Sequence, residues 1–173
     1  MGGHTASDET QLGRRLARAC IAALQAEEAG GEAADPARFA FPPRGKPRYA
    51  GGPDFSIAHS APIVACAAVT RGDVGLDVEC DEAIERLTLG AICDAGELEL
   101  VRTLGVRAVW MAKEAALKAG GGTIEQIASV RVCAGGAQFR AVQYHAQPIL
   151  LGNRWPACIM TSEPAVPFEV RSL

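Results

Sequence analysis

Phe55-Ser56-Ile57-Ala58-His59-Ser60, then Ile63 to Thr70, then Val74-Gly75-Leu76-Asp77-Val78-Glu79 are the stretches whose reading decides the fold. The first reads as a short strand ending at His59-Ser60. The second is a continuous apolar run of the kind a buried strand carries. Arg71-Gly72-Asp73 has turn chemistry, and Val74–Glu79 reads as a return strand. Ile63–Thr70 and Val74–Glu79 are therefore expected to pair as an antiparallel hairpin.

Upstream, Leu12, Leu16, Ala19, Ala23 and Ala26 recur at three- and four-residue spacing, which predicts a helix from about Ser7 to Glu28. Ser7 with Asp8 or Thr10 supplies capping chemistry, and Gly30-Gly31 is expected to end the helix. A long loop follows, broken by Pro36, Pro42-Pro43, Gly45, Pro47 and Gly51-Gly52-Pro53. Downstream, Asp94–Leu104 and Ala108–Ala119 read as helices, separated at Gly105 and stopped by Gly120-Gly121-Gly122. Ser129–Cys133, Gln138–Tyr144 and Trp155–Thr161 read as strands. Helix, hairpin, helices and meander in that order predict an α+β fold.

The chain has 173 residues, 49% of them apolar, which suits one compact unit. A net charge of −3 argues against a general nucleic-acid binder, so any phosphate binding must come from a local cluster. No apolar run reaches the roughly 18–20 residues of a membrane span. Six cysteines, with no C-x-x-C pair and no signal-peptide pattern before them, read as reduced thiols of a cytoplasmic protein. Fourteen arginines stand against three lysines, Lys46, Lys113 and Lys118. A lysine in such a composition invites the question of what it does that Arg does not.

Four segments carry candidate chemistry. On a strand, Asp77 and Glu79 point the same way, and two adjacent carboxylates are tolerated if solvated or if they share a hard cation. In Trp110-Met111-Ala112-Lys113-Glu114-Ala115-Ala116-Leu117-Lys118, the residues Trp110, Glu114 and Lys118 share a helix face; an ordinary surface Glu–Lys pair gives the same pattern. His59-Ser60 at a strand end offers hydrogen bonds to a phosphate, or is a polar loop without a role. Arg44-Gly45-Lys46-Pro47-Arg48 gathers three cations around a turn and suits phosphate oxygens, or is a solvated basic loop. His4 and His145 have no supporting neighbours and read as structural or exposed.

Taken together, Gly45-Lys46-Pro47, Phe55–Ser60, Gly75-Leu76-Asp77-Val78-Glu79 and the Trp110–Gly121 segment resemble the motifs of the Sfp-type 4′-phosphopantetheinyl transferases, over about Gln11 to Glu163. All three lysines fall on family positions. The resemblance implies the family's α+β architecture: two pseudo-symmetric halves, each a small antiparallel sheet packed on a helix, in a single unit 1–173. The halves would run 1–72, reduced here, and 73–173, with the active site in the cleft between them.

The resemblance also implies roles. Asp77, Glu79 and Glu114 would be ligands of Mg2+, which would grip the pyrophosphate of coenzyme A. Glu114 would activate the serine hydroxyl of an acyl, polyketide or peptidyl carrier protein. Lys118 and His59 would offset charge on the phosphoryl oxygens. Lys46 would contact the coenzyme's phosphates, with Ser60 and Lys113 as further coenzyme contacts. The implied partners are coenzyme A and a carrier protein, with neither nucleic acid nor membrane, on a monomer, or on a dimer that covers the shortened first half.

The sequence departs from the pattern at Ser56, where the family usually has Asn, and at Ala58, where it has Ser. A basic residue expected before Leu12-Gly13-Arg14 is replaced by Thr10-Gln11, for which Arg14, Arg15 or Arg18 would have to compensate. A second reading follows from these gaps: a degenerate relative that binds carrier protein or coenzyme A without transfer.

Overall fold

The computed structural model describes residues 6–27, 34–164 and 166–171. Helix α1 (Ala6–Glu27) opens the chain. The breaker-rich segment after it builds a two-stranded sheet of β1 (Phe39–Ala40) and β2 (Arg48–Tyr49). Then come β3 (Asp54–Ser60), β4 (Ile63–Val69) and β5 (Val74–Val78), helices α2 (Ala95–Leu104) and α3 (Val106–Ala119), and strands β6 (Arg131–Cys133), β7 (Gly136–Phe139), β8 (Val142–Leu151) and β9 (Trp155–Thr161). The molecule is mixed helix and strand, and every sheet is antiparallel. Among the described residues no helix is long and apolar enough to cross a membrane.

The expected helices form, with α2 and α3 meeting at Gly105, whose φ of 89° few side chains adopt. Asp94 and Glu97 form a capping box that fixes the start of α2. α1 is described through Glu27; Gly30-Gly31, expected to end it, lies outside the described residues, as does His4.

Three strand expectations need correction. β4 pairs with β3 across the two-residue link Ala61-Pro62, with Ser60 opposite Ile63, and not with β5. β5 instead pairs with β9, placing Asp77 opposite Cys158, so the Arg71–Asp73 turn carries the chain from one sheet to another. The stretch Gln138–Tyr144 is two strands, because Arg140 and Ala141 turn with φ of 50° and 64°. Positive φ at both central residues is the geometry of the two-residue hairpin turn whose twist matches its strands. Finally, the chain up to Ser129 is a 3-10 helix (Ile124–Ser129), leaving only Arg131–Cys133 as strand.

The five-stranded sheet has the order β5-β9-β8-β7-β6 and packs on α3, while β3-β4 packs on α1. What joins β3 to β5 is not a backbone ladder. The Asp54, Ser56 and Ser60 side chains of β3 accept the N–H groups of Val74, Leu76 and Cys80 at 2.7, 3.0 and 2.9 Å. The core continues across this seam: Ala58, Ala67 and Val69 pack with Val74, Leu76, Val78, Ala157 and Ile159. Along β5, Gly75 lets the strand lie directly on α3; a Cβ there would stand 1.8 Å from the Ala115 carbonyl oxygen. That contact brings the acidic strand onto the Glu114–Lys118 helix face.

Candidate functional site: an acidic strand facing a helical lysine

Because β5 is covered on both faces, Asp77 is not a solvated carboxylate at a strand end. It is 3% exposed, between α3 and the neighbouring strand. Lys118 reaches it across the packed interface, with its ammonium 2.6 Å from Asp77 Oδ1 and 3.2 Å from Glu114 Oε2. Glu79 is held by the Trp110 indole, whose Nε1 donates to Glu79 Oε1 at 3.0 Å. Two of the three positions at four-residue spacing on α3, Trp110 and Lys118, therefore meet the two carboxylates at the end of β5, and Glu114 joins them through Lys118.

Burial dominates the electrostatics. It pushes the Asp77 carboxyl up to about 7; Lys118 opposes that rise, while Glu114 and Glu79 add to it. Burial also lifts Glu79, against the Trp110 hydrogen bond and with Glu114 adding to the rise. For Lys118, burial works to strip the proton, but Asp77 and Glu114 outweigh it and hold the ammonium above its usual range. The cluster has three carboxylates acting on one another and one cation among them. Asp77 Oδ2 is buried with no hydrogen-bond partner.

An unpartnered buried carboxylate oxygen beside two further carboxylates is chemically suited to a hard divalent cation, which takes oxygen ligands. Among the described residues, no three Asp, Glu, His or Cys side chains stand in metal-holding geometry. The position between Asp77 and Glu114 is filled by the Lys118 ammonium.

The remaining residues singled out from the sequence are more dispersed. His59 sits on β3, its side chain 64% exposed, with Nδ1 3.7 Å from Glu9 Oε2 of α1. Ser60 spends its hydroxyl oxygen on the Cys80 N–H, so it acts at the seam. Lys46 pairs with Asp54 and donates to the Ala119 carbonyl at 3.2 Å, tying the Gly45–Pro47 loop to the end of α3. Lys113 does not join the cluster. It is fully buried on the other side of α3, pairs with Glu97 at 2.6 Å and donates to the Val130 carbonyl. The helical period explains this: a residue next to Glu114 projects about 100° away from the Glu114 face. Its lysine head serves a buried network in which Glu97 also accepts the Val132 N–H. Of the arginines on α1, Arg14 lies over the Phe41 ring at 5.0 Å from its centroid.

A cleft of about 330 Å³ lies beside Lys46, bounded by Arg48, Asp54, Asp73, Gly121 and Arg140. The carboxylate cluster does not line it. Arg140 reaches there by way of the hairpin turn missed in the sequence, with its guanidinium on the Gly120 carbonyl and Gln126. Nothing local in the sequence marks Arg140 as a neighbour of Lys46. Arg48, by contrast, was visible as one of the three cations of the basic loop.

Compared with known proteins, the chain matches no protein-family model and no curated protein.

Proposed function

We propose that this protein transfers the 4′-phosphopantetheine arm of coenzyme A to a serine of an acyl, polyketide or peptidyl carrier protein, on the two-halved architecture of the Sfp-type transferases. One observation carries this reading. The Gly75–Glu79 strand and the Trp110–Lys118 helix, far apart in sequence, converge so that Asp77, Glu114 and Lys118 form one ionic cluster with Glu79 beside it.

In this reading Asp77, Glu79 and Glu114 would hold magnesium, which supplies charge neutralisation at the pyrophosphate. The unpartnered Asp77 Oδ2 supports that donor set. Glu114, partly exposed at the edge of the cluster, accepts the proton of the carrier serine as its oxygen attacks the β-phosphate. The phosphoanhydride bond to the leaving 3′,5′-adenosine bisphosphate breaks in the same displacement. Lys118 and the exposed His59 offset charge on the transferring and departing oxygens. Lys46 is largely spoken for by Asp54, so its contribution is to shape the cleft beside it, where Arg48 and Arg140 are the cations for phosphate and there is room for part of the coenzyme's nucleotide end. We place this chemistry in the cytoplasm.

The test is magnesium-dependent labelling of candidate carrier proteins with coenzyme A, read by intact mass. The expected result is a gain of one phosphopantetheine on the carrier, lost in Asp77→Ala and Glu114→Gln. Labelling that survives Glu114→Gln overturns the chemistry. Coenzyme A binding with an unchanged carrier mass would instead favour the binding-only relative.

A further inference from the structure

Two thiols outside the cluster face each other between α1 and β4. Cys20 on the helix donates its S–H to the Cys66 carbonyl at 3.8 Å, and the Cys66 S–H reaches the Ala67 carbonyl at 3.7 Å. Both side chains are partly open to solvent. The helix lies close on the β3-β4 hairpin because its facing residues are small: a Cβ on Gly13 would stand 2.8 Å from Ile57 Cγ2 of β3 and 3.8 Å from Val64 Cγ1 of β4, and Ala17 is fully buried.

The two sulfurs also differ in acidity in a complementary way. The neighbouring Cys66 side chain lowers the Cys20 thiol, with burial opposing and Arg171 assisting. The nearness of Cys20, with burial, raises Cys66. The other cysteines with a resolved shift move upward: burial lifts Cys80 and Cys93, and lifts Cys158 to about 12. A more acidic thiol beside a protonated partner is the arrangement of an attacking and a resolving cysteine.

We propose that Cys20 and Cys66 form a reversible disulfide in response to peroxide, a covalent latch between α1 and the β3-β4 hairpin. The Cys20 thiolate attacks one peroxide oxygen, the O–O bond breaks, and hydroxide leaves, giving a sulfenic acid on Cys20. The Cys66 sulfur then displaces the sulfenic oxygen, which departs as water with the Cys66 proton. The hydroxide takes up the proton that Cys20 released on ionising, so two thiols are oxidised by two electrons and the peroxide is reduced to two waters. The latch closes a loop between cysteines 46 residues apart in the chain. It fixes α1, which carries Glu9, against the hairpin that carries His59.

The full-length protein is treated with hydrogen peroxide at neutral pH, capped with N-ethylmaleimide and mapped by mass spectrometry. The expected result is two fewer maleimide adducts, a cross-linked peptide pair containing Cys20 and Cys66, and a Tm higher by about 5–10 °C, reversed by dithiothreitol. Cys66→Ser should leave a sulfenic acid on Cys20 that dimedone captures. Full maleimide labelling of both cysteines after peroxide, or their loss without the cross-linked pair, overturns the proposal. If Cys66→Ser does not fold, the wild-type peptide map decides the matter by itself.

Discussion

Asp77 gives one oxygen to Lys118 and leaves the other without a hydrogen bond inside the protein. A buried carboxylate so poorly compensated weakens the fold, a cost typical of residues retained for function. Asp77→Asn removes the buried charge while keeping the side chain's shape. In buffer without divalent metal its Tm should rise by about 2–4 °C, roughly 1 kcal/mol for a chain this size. Carrier labelling should be abolished in the same variant. A Tm below wild type in a calorimetric scan would show that the Lys118 pair outweighs the burial cost. Tyr144 tests the electrostatics at the other end of α3. Burial, with Asp73 and Asp54 nearby, pushes its phenol up to about 12. A phenol lifted above its unfolded value keeps its proton longer when folded. Its contribution is complete below about pH 10 and fades as pH climbs from 10 toward 12. Tyr144→Phe cannot ionise, so its stability loss between pH 9 and 11.5 should be shallower by about 1 kcal/mol, discounted for screening at a side chain that lines the cleft. Parallel urea titrations of the two proteins measure the difference.

Elements explain which parts of this arrangement could be read from the sequence. The α3 face was legible because 3.6-residue periodicity is intrinsic to the helix, so Trp110, Glu114 and Lys118 had to project together. The placement of Lys113 followed from the same rule. The partner of β5 was not legible, since a strand's pattern says what it buries and nothing about which strand pairs with it. The seam was hidden too, because its acceptors are the side chains of Asp54, Ser56 and Ser60, each 20 residues before the N–H it serves. Leu76 lies in a buried part of that seam, so Ser56→Ala leaves its N–H unsatisfied and should cost about 1–3 kcal/mol by urea denaturation. Alternation along β5 aims the Val78 N–H at Ala58 in the same way. Ala58→Ser would offer a hydroxyl acceptor at that position and should raise the urea midpoint by an amount equivalent to about 0.5–1.5 kcal/mol. A lower midpoint would mean that the buried site cannot take a hydroxyl.

At the scale of the whole molecule, the question is whether residues 1–72 and 73–173 behave as two bodies. Their sheets are separate, and each packs on its own helix. Yet Ala58, Ala67 and Val69 from the first part share a core with Val74, Leu76 and Ile159 from the second, and Lys46 reaches the Ala119 carbonyl across the boundary. The first part alone would leave the β3 acceptors without their donors and its share of that core in water. A unit of that size has only a marginal core to begin with and cannot spare that share of it. The two parts should therefore unfold together. Trp110 and Trp155, both in the second part, report on it by fluorescence, while far-ultraviolet circular dichroism also sees α1. The expected result is coincident urea transitions from the two signals. The Ser56→Ala variant sharpens the test. A weakened seam should shift both curves together; if circular dichroism alone moves to lower urea, α1 with the β3-β4 hairpin melts independently and the shared core does not couple the parts.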